Sequence, residues 1–483
     1  MDRRAFIARL GLAAVYTQLP PVLSSCSSSE DLGSNPSRVA QALRIPATIN
    51  GTGTLSASNG TATLLPGITS SAILTNNTFL GPTITISKGE TLNVRFNNLL
   101  SEDSNIHWHG LSTPSIMDGH PKYPVKPGGS FDYSFPVLDR AGTYWYHAHP
   151  DRATARQAYM GLAGAIIVHD PEEQALGLPS GKYDVPLIIQ DKRLTSSGQL
   201  VYSPLKEDFL SGYLGGTPFI NGTPNAFLEV ETTLYRFRLV NASNARLYRI
   251  GLSDSRTMYL IGNDGGLLDK PVALTSFYLS PGERAEILVD FSADMIGSSI
   301  QLQTLTFPFP SSHNSTEYPQ GMTMDLMEFR IVKDNNTHPA IPSSLTTFTP
   351  LSVASAVQTR KFVLTMDHSR TYGMHLIDGK VFEMDRVDYR IPLNDIEIWE
   401  IENQGESIHG MHIHGTQFQV LERLYGDWQI QPTDKSWKDT VFIGANETVR
   451  IILRFTAYKG TYLFHCHNLE HEDDGMMVNI EVV

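Results

Sequence analysis

Cysteine is almost missing from this chain of 483 residues, which holds only Cys26 and Cys466. Two cysteines exclude a disulfide framework, and they are too few for a cysteine-rich zinc site or an iron–sulfur cluster. Basic excess is missing too: 37 Lys and Arg face 50 Asp and Glu, a net charge of −13. No basic face for nucleic acid is implied. The apolar stretch from Leu10 to Leu23 is broken by Gln18, Pro20 and Pro21. It falls short of the roughly 20 apolar residues that a spanning helix needs, and no later segment does better. Long helical periodicity is also absent. What remains is a globular composition, 41% hydrophobic and 18% charged. The length is enough for two to four domains at about 100–200 residues each. The count that stands out is 16 histidines.

Residues 1–44 read as an export address followed by a Ser-rich linker. Arg3-Arg4 followed by Phe6-Ile7 resembles a twin-arginine signal, and Leu23-Ser24-Ser25-Cys26 resembles a bacterial lipoprotein box. Cys26 is then either lipidated or part of a discarded peptide. The expected location is periplasmic, or membrane-anchored outside the cytoplasm.

From about residue 45, short alternating runs are separated by Gly, Pro and Asn, as in Thr91 to Phe96 and Glu286 to Phe291. This pattern predicts β-sandwiches or Greek-key barrels. Short helices are expected near 151–159 and 172–175. An internal repeat sets the organisation. Gly142-Thr143-Tyr144-Trp145-Tyr146-His147-Ala148-His149 matches Gly460-Thr461-Tyr462-Leu463-Phe464-His465-Cys466-His467, and His107-Trp108-His109-Gly110 matches His412-Ile413-His414-Gly415. Domains are expected at 45–172, 180–333 and 358–483, with 334–357 as a linker. The middle one has similar strands, including Pro281-Gly282-Glu283 leading into Ala285, but no His-X-His.

On a strand, residues i and i+2 share a face about 6.5–7 Å apart. One His-X-His is weak evidence, since a surface or core pair is the ordinary reading. Four in two matching units, holding most of the ten histidines in these motifs, are not readily coincidental. In His465-Cys466-His467 the histidines face one way and the cysteine the other, so one short strand can touch two metal sites. A thiolate with imidazoles and a distant Met is the ligand set of blue copper. His471 and Met476 follow at five-residue steps and can fold back to Cys466. His409, at odd separation from His412 and His414, can join them.

These motifs, with Trp437-Lys438-Asp439-Thr440 and Phe219 to Gly222, resemble the multicopper oxidases, most closely the three-domain bacterial laccase-like and copper-efflux enzymes. The resemblance spans nearly all of the chain after residue 45 and implies an all-β fold of three consecutive cupredoxin-like Greek-key domains. It implies four copper ions. A type 1 copper is held by His409, Cys466, His471 and axial Met476, which the family's spacing favours over Met477. A type 2 copper takes His107 and His412. A type 3 pair takes His109, His147, His149, His414, His465 and His467. Cys466 becomes the electron gate. Asp118 and Glu472 become the acids that serve proton delivery, against the plainer reading of solvated loop carboxylates. Asp439 lies behind the ligands or near the substrate, or else caps a turn.

Aligned without gaps, the first unit has Ser104, Ala148, Ala153 and Ala158 where the third has His409, Cys466, His471 and Met476. One type 1 site is therefore expected, in the third domain. One trinuclear cluster is expected between the first and third, with the second as a copper-free spacer. The remaining histidines (His120, His169, His313, His338, His368 and His375) read mostly as surface or turn residues. The implied reaction is one-electron oxidation of phenols or aromatic amines coupled to reduction of O₂ to water. A cuprous oxidase is the rival, but the stretch Thr365 to Asp388 holds only Met366, Met374 and Met384. That is no methionine cluster for gathering Cu(I), and core filling is the better reading of those three residues. A copperless scaffold conflicts with the complete ligand set, and a copper nitrite reductase with the doubled His-X-His pattern.

Overall fold

The computed structural model describes residues 39–309 and 314–483. The twin-arginine motif, Cys26 and His313 lie outside the described residues. Strands dominate, and they build two-sheet sandwiches of the cupredoxin-like kind in three successive parts of the chain.

The repeat in the sequence is a repeat in topology. In the first part, Gly142–His147 lies between Ala163–His169 and the His-X-His strand His107–His109, and Ala163–His169 pairs in parallel with Thr83–Ser87. In the third part, Gly460–Cys466 lies between Met477–Val482 and His409–Ile413, and Met477–Val482 pairs in parallel with Tyr389–Ile391. The middle part carries an eight-stranded and a six-stranded sheet around its own core of Leu, Ile, Val and Phe side chains.

Alternation decides what each strand buries. Along Thr91–Leu99, Leu92, Val94 and Phe96 point inward and Thr91, Asn93 and Arg95 point out. Gly142–His147 is buried at every position. Tyr144 and Tyr146 fill the first sandwich core, while Trp145 fills a second core at the seam with the middle part. A strand covered on both faces is the setting that puts His147 in the interior.

Some details differ from the expectations. Gln41–Ala42, counted above with the linker, is a strand that pairs with Ala226 and Phe227 and brings buried Leu43 into the middle core. In the 334–357 segment Leu345 is buried against that same core. Helices occupy Thr154–Tyr159 and Pro171–Gln174 as expected. Lys206–Ser211 and Leu469–Asp473 are two further short helices beyond those expected. No helix among the described residues is long and apolar enough to cross a membrane.

Buried charge ties the middle part to the third. Lys438 Nζ lies 2.8 Å from Asp264 Oδ2 and 3.0 Å from Glu283 Oε1, with all three side chains out of solvent. Removing one member of such a cluster strands the others without solvent, a cost of about 3–5 kcal/mol. Lys438→Met should lower the unfolding temperature clearly in calorimetry; an unchanged temperature would mean that the two carboxylates do not depend on this lysine.

Candidate metal centres

Strand parity separates two sites. Met411, Ile413, Phe464 and Cys466 belong to the core of the third sandwich, and His409 shares their face. His412, His414, His465 and His467 take the opposite face. The register places Met411 beside Cys466 and His412 beside His465. In the first part Trp108 is in the core, and His107 and His109 take the outer face beside His147.

Inside the third sandwich, Cys466 Sγ lies 3.5 Å from His409 Nδ1 and 3.7 Å from His471 Nδ1, and the two Nδ1 atoms are 3.3 Å apart. The centre of that triangle is about 2 Å from each corner, the length of a metal–ligand bond to nitrogen and close to that for sulfur. The helix Leu469–Asp473 carries His471 and is capped by the Asn468 side chain, whose backbone N–H reaches back to Cys466 Sγ at 3.4 Å. Met476 is buried in the same core as Cys466, and its backbone carbonyl accepts the Cys466 N–H. Met477 packs with Phe382 and Leu463 instead. Burial pushes the Cys466 thiol up to about 12. A bound metal ion would deprotonate it.

The other eight histidines converge between the first and third parts, all buried. In five of them Nδ1 is held by the protein. His107 Nδ1 donates to the Asp118 carbonyl, His147 Nδ1 to that of Ala148, His412 Nδ1 to that of Asp439 and His465 Nδ1 to that of Cys466. His414 Nδ1 donates to the Asp118 carboxylate at 2.6 Å. With Nδ1 carrying the proton, each Nε2 presents a bare lone pair. Yet His107 Nε2 and His412 Nε2 are 3.3 Å apart, and His414 Nε2 and His465 Nε2 are 3.0 Å apart. Two lone pairs aimed at each other repel unless a cation lies between them. His147 Nε2, His109 Nδ1 and both nitrogens of His467 have no hydrogen-bond partner. Burial is the main cause that holds His107, His109, His149, His414, His465 and His467 well below the usual imidazole range, and His147 at about 3. Neutral imidazoles are what metal ligation needs. The donor set therefore fits metal ions.

The carboxylates are interior groups, not solvated loop residues. Thr113 donates to Asp118, and burial drives the Asp118 carboxyl well above its usual range. Glu472 lies 3.3 Å from both His149 Nε2 and His465 Nδ1, and burial, then the neighbouring Asp473, drives it up likewise. Asp439 accepts from His109 Nε2 at 3.1 Å and pairs with Arg284 of the middle part. Burial opposes its ionisation, but the guanidinium prevails and holds Asp439 well below the usual range.

Two of the remaining histidines depart from the surface expectation. His120 is buried against Asn479 Oδ1 at 2.8 Å, and burial lowers it to about 4. His375 is buried with its ring stacked on His471, centroids 3.6 Å apart, and its Nε2 donates to the Phe209 carbonyl. No His-X-His spacing marks His375, so its sequence gave no signal. His338 and His368 are exposed and His169 half-buried. Met374 is buried and Met384 packs beside Phe382, which fits core filling. In the first part the positions matching the thiolate site are filled by buried Ala148 and Ala158, while Ser104 bonds Gln157.

Comparison with known proteins gives the same direction along most of the chain. Two family models, each described as multicopper oxidase, match residues 56–173 and 348–483. A multicopper oxidase of Staphylococcus epidermidis is 33% identical over 440 residues, 89% of this chain and 88% of that protein. A laccase of Bacillus subtilis is 33% identical, over 84% of this chain and 89% of its own. The crystal structure of McoA multicopper oxidase from Aquifex aeolicus superposes with a TM-score of 0.84 at 38% identity, covering 92% of this chain and 99% of that one.

Because the two donor sets face opposite sides of one strand, they can be emptied separately. Cys466→Ser should remove the intense blue absorption of a copper thiolate and abolish donor oxidation, while metal analysis still finds the histidine cluster largely filled. Loss of all copper together would mean that the two sets are not independent.

Proposed function

The chain belongs to the multicopper oxidase family, an oxidase class that uses copper, O₂ and a reductant, and from that premise we propose that it is a laccase-like enzyme for phenols and aromatic amines. The single observation that carries this reading is the face reversal at His465-Cys466-His467, which sets a one-thiolate site back to back with an eight-histidine cluster. By this reading His409, Cys466, His471 and Met476 hold one copper. His107 and His412 hold a second, and His109, His147, His149, His414, His465 and His467 hold a pair. When bound, copper supplies single-electron acceptance at the thiolate and four-electron reduction of O₂ to water at the cluster.

The chain's own residues do the rest. Cys466 is joined through its own backbone to His465 and His467, so the path from donor site to cluster needs no gap through space. The Glu472 carboxyl, buried against His149 and His465, can hold a proton at the cluster until water forms. Asp118 fixes two rings at once, His414 through its carboxylate and His107 through its carbonyl.

A donor would approach His471 at a small crevice of about 20 Å³ walled by Leu210, Ser211, Phe309, Ser407 and Ile408. Among the described residues no methionine or carboxylate lines it. Walls without sulfur or carboxylate suit edge contact with an organic donor better than Cu(I), which soft sulfur ligands would gather. Turnover of a simple phenol should exceed that of Cu(I) on fully copper-loaded protein, measured as O₂ consumption. Negligible phenol turnover with rapid Cu(I) oxidation would transfer the assignment to a cuprous oxidase.

The reading extends to location. Arg3-Arg4 supports twin-arginine export, which carries folded proteins and so suits a protein loaded with metal before it crosses. Cell fractionation should find the full chain outside the cytoplasm and an Arg3→Lys, Arg4→Lys variant retained inside. Equal export of both would refute the route, and fatty-acid labelling of the wild type against Cys26→Ala tests the lipid anchor.

A further inference from the structure

We propose that Arg284, carried by the middle domain that itself offers no copper ligand, is a positioning residue for the histidine cluster: through Asp439 it selects which nitrogen His109 turns inward. This rests on the reading of that cluster as a copper site.

His109 is the inverted ring. Five of its neighbours are tied to the protein through Nδ1 and present Nε2 inward: His107, His147, His412, His414 and His465. His109 is tied through Nε2, 3.1 Å from Asp439 Oδ1 and 3.2 Å from Thr440 Oγ1. An ionised carboxylate only accepts, so Nε2 bears the proton and the lone pair sits on Nδ1. That Nδ1 is buried and has no hydrogen-bond partner. The ring's tautomer is thus set by Asp439.

Arg284 in turn sets Asp439. All five of its N–H groups are used. Nε donates to the Thr143 carbonyl at 3.2 Å, Nη1 to the Gly282 carbonyl at 2.9 Å and Asp439 Oδ1 at 2.8 Å, and Nη2 to the Asp264 carbonyl at 2.9 Å and to Asp439 Oδ2. Those acceptors come from all three domains. A forked guanidinium can hold both oxygens of one carboxylate at once, and a lysine ammonium cannot reproduce that geometry.

Two glycines make room for this contact. Gly110, directly after His109, has φ +91°, and a Cβ there would come 2.6 Å from both Arg284 Nη2 and Asp439 Oδ2. Gly282, in the turn leading to Arg284, has φ +84°, and a Cβ there would meet His467 at 2.9 Å and His109 Cε1 at 3.1 Å. The turn at 281–284 therefore rests against the cluster itself. The middle domain then does more than space its neighbours: it completes the setting of one ligand.

The test uses copper-loaded full-length protein. Loss of a partner behind a ligand typically weakens metal affinity by about 10–100-fold. Arg284→Gln should weaken the cluster by that factor in a chelator competition and diminish the near-ultraviolet band of the coupled copper pair, leaving the blue thiolate band intact. Arg284→Lys should fall between. Asp439→Asn, which keeps the size and removes the charge, should give the same selective loss, and the double variant should be no worse than either single. If Arg284→Gln folds poorly, Asp439→Asn carries the same comparison. An unchanged cluster affinity and band in Arg284→Gln or Asp439→Asn would overturn the proposal, as would equal loss of the blue and near-ultraviolet bands. Wild-type protein that takes up no copper at the cluster would instead refute the reading on which it rests.

Discussion

The metal centres of this protein depend on the alternation of side chains at the end of the strand Gly460–Cys466 and at the residue that follows it. His465 and His467 leave one face of the sheet and Cys466 leaves the other. The period of 2 in a strand makes this reversal compulsory, not adjustable. The thiolate is therefore sunk in the core of its own sandwich, while its covalent neighbours stand in the seam between domains.

The seam sets the next constraint. Eight imidazoles converge there without solvent, four from each of two sandwiches. Burial lowers the basicity of seven of them, and His414 Nε2 and His465 Nε2 face one another at hydrogen-bond distance. An apoprotein with such a seam stores repulsion that a cation relieves, so metal binding and domain docking are coupled. Buried ionic contacts from the middle domain hold the seam from behind. Lys438 with Asp264 and Glu283, and Arg284 with Asp439, cross between the middle and third domains. Charges placed there suit orientation better than stability, since desolvation offsets much of their attraction.

The same logic separates the two acid groups near the cluster. Asp118 is fully engaged as an acceptor and acts by holding rings in place. Glu472 sits on a short helix between the two sites, beside His149 and His465, with few partners to hold its charge. Asp118 thus links rings from two parts of the chain, and Glu472 stands between the two donor sets.

Much of this was written in the local sequence. The fold class, the repeated unit and the separation of His409 and Cys466 from the paired histidines follow from period-2 spacing, a property of a single strand. Met476 could be preferred over Met477 only through the family's spacing; in the structure the two methionines go to different cores. Other facts depend on residues that meet only after the chain has folded. His375 comes from a strand 96 residues before His471, yet stacks on it where the Asp474 carboxylate accepts from the Gly373 and Met374 N–H groups. Arg284 is one arginine at the start of an ordinary strand until Thr143 and Asp439 arrive from the flanking parts of the chain. The sequence by itself determined which residues could be ligands, because alternation is local. For His109 and His414 the tertiary structure decided which nitrogen turns inward, because the carboxylate that holds the ring stands 330 and 296 positions away.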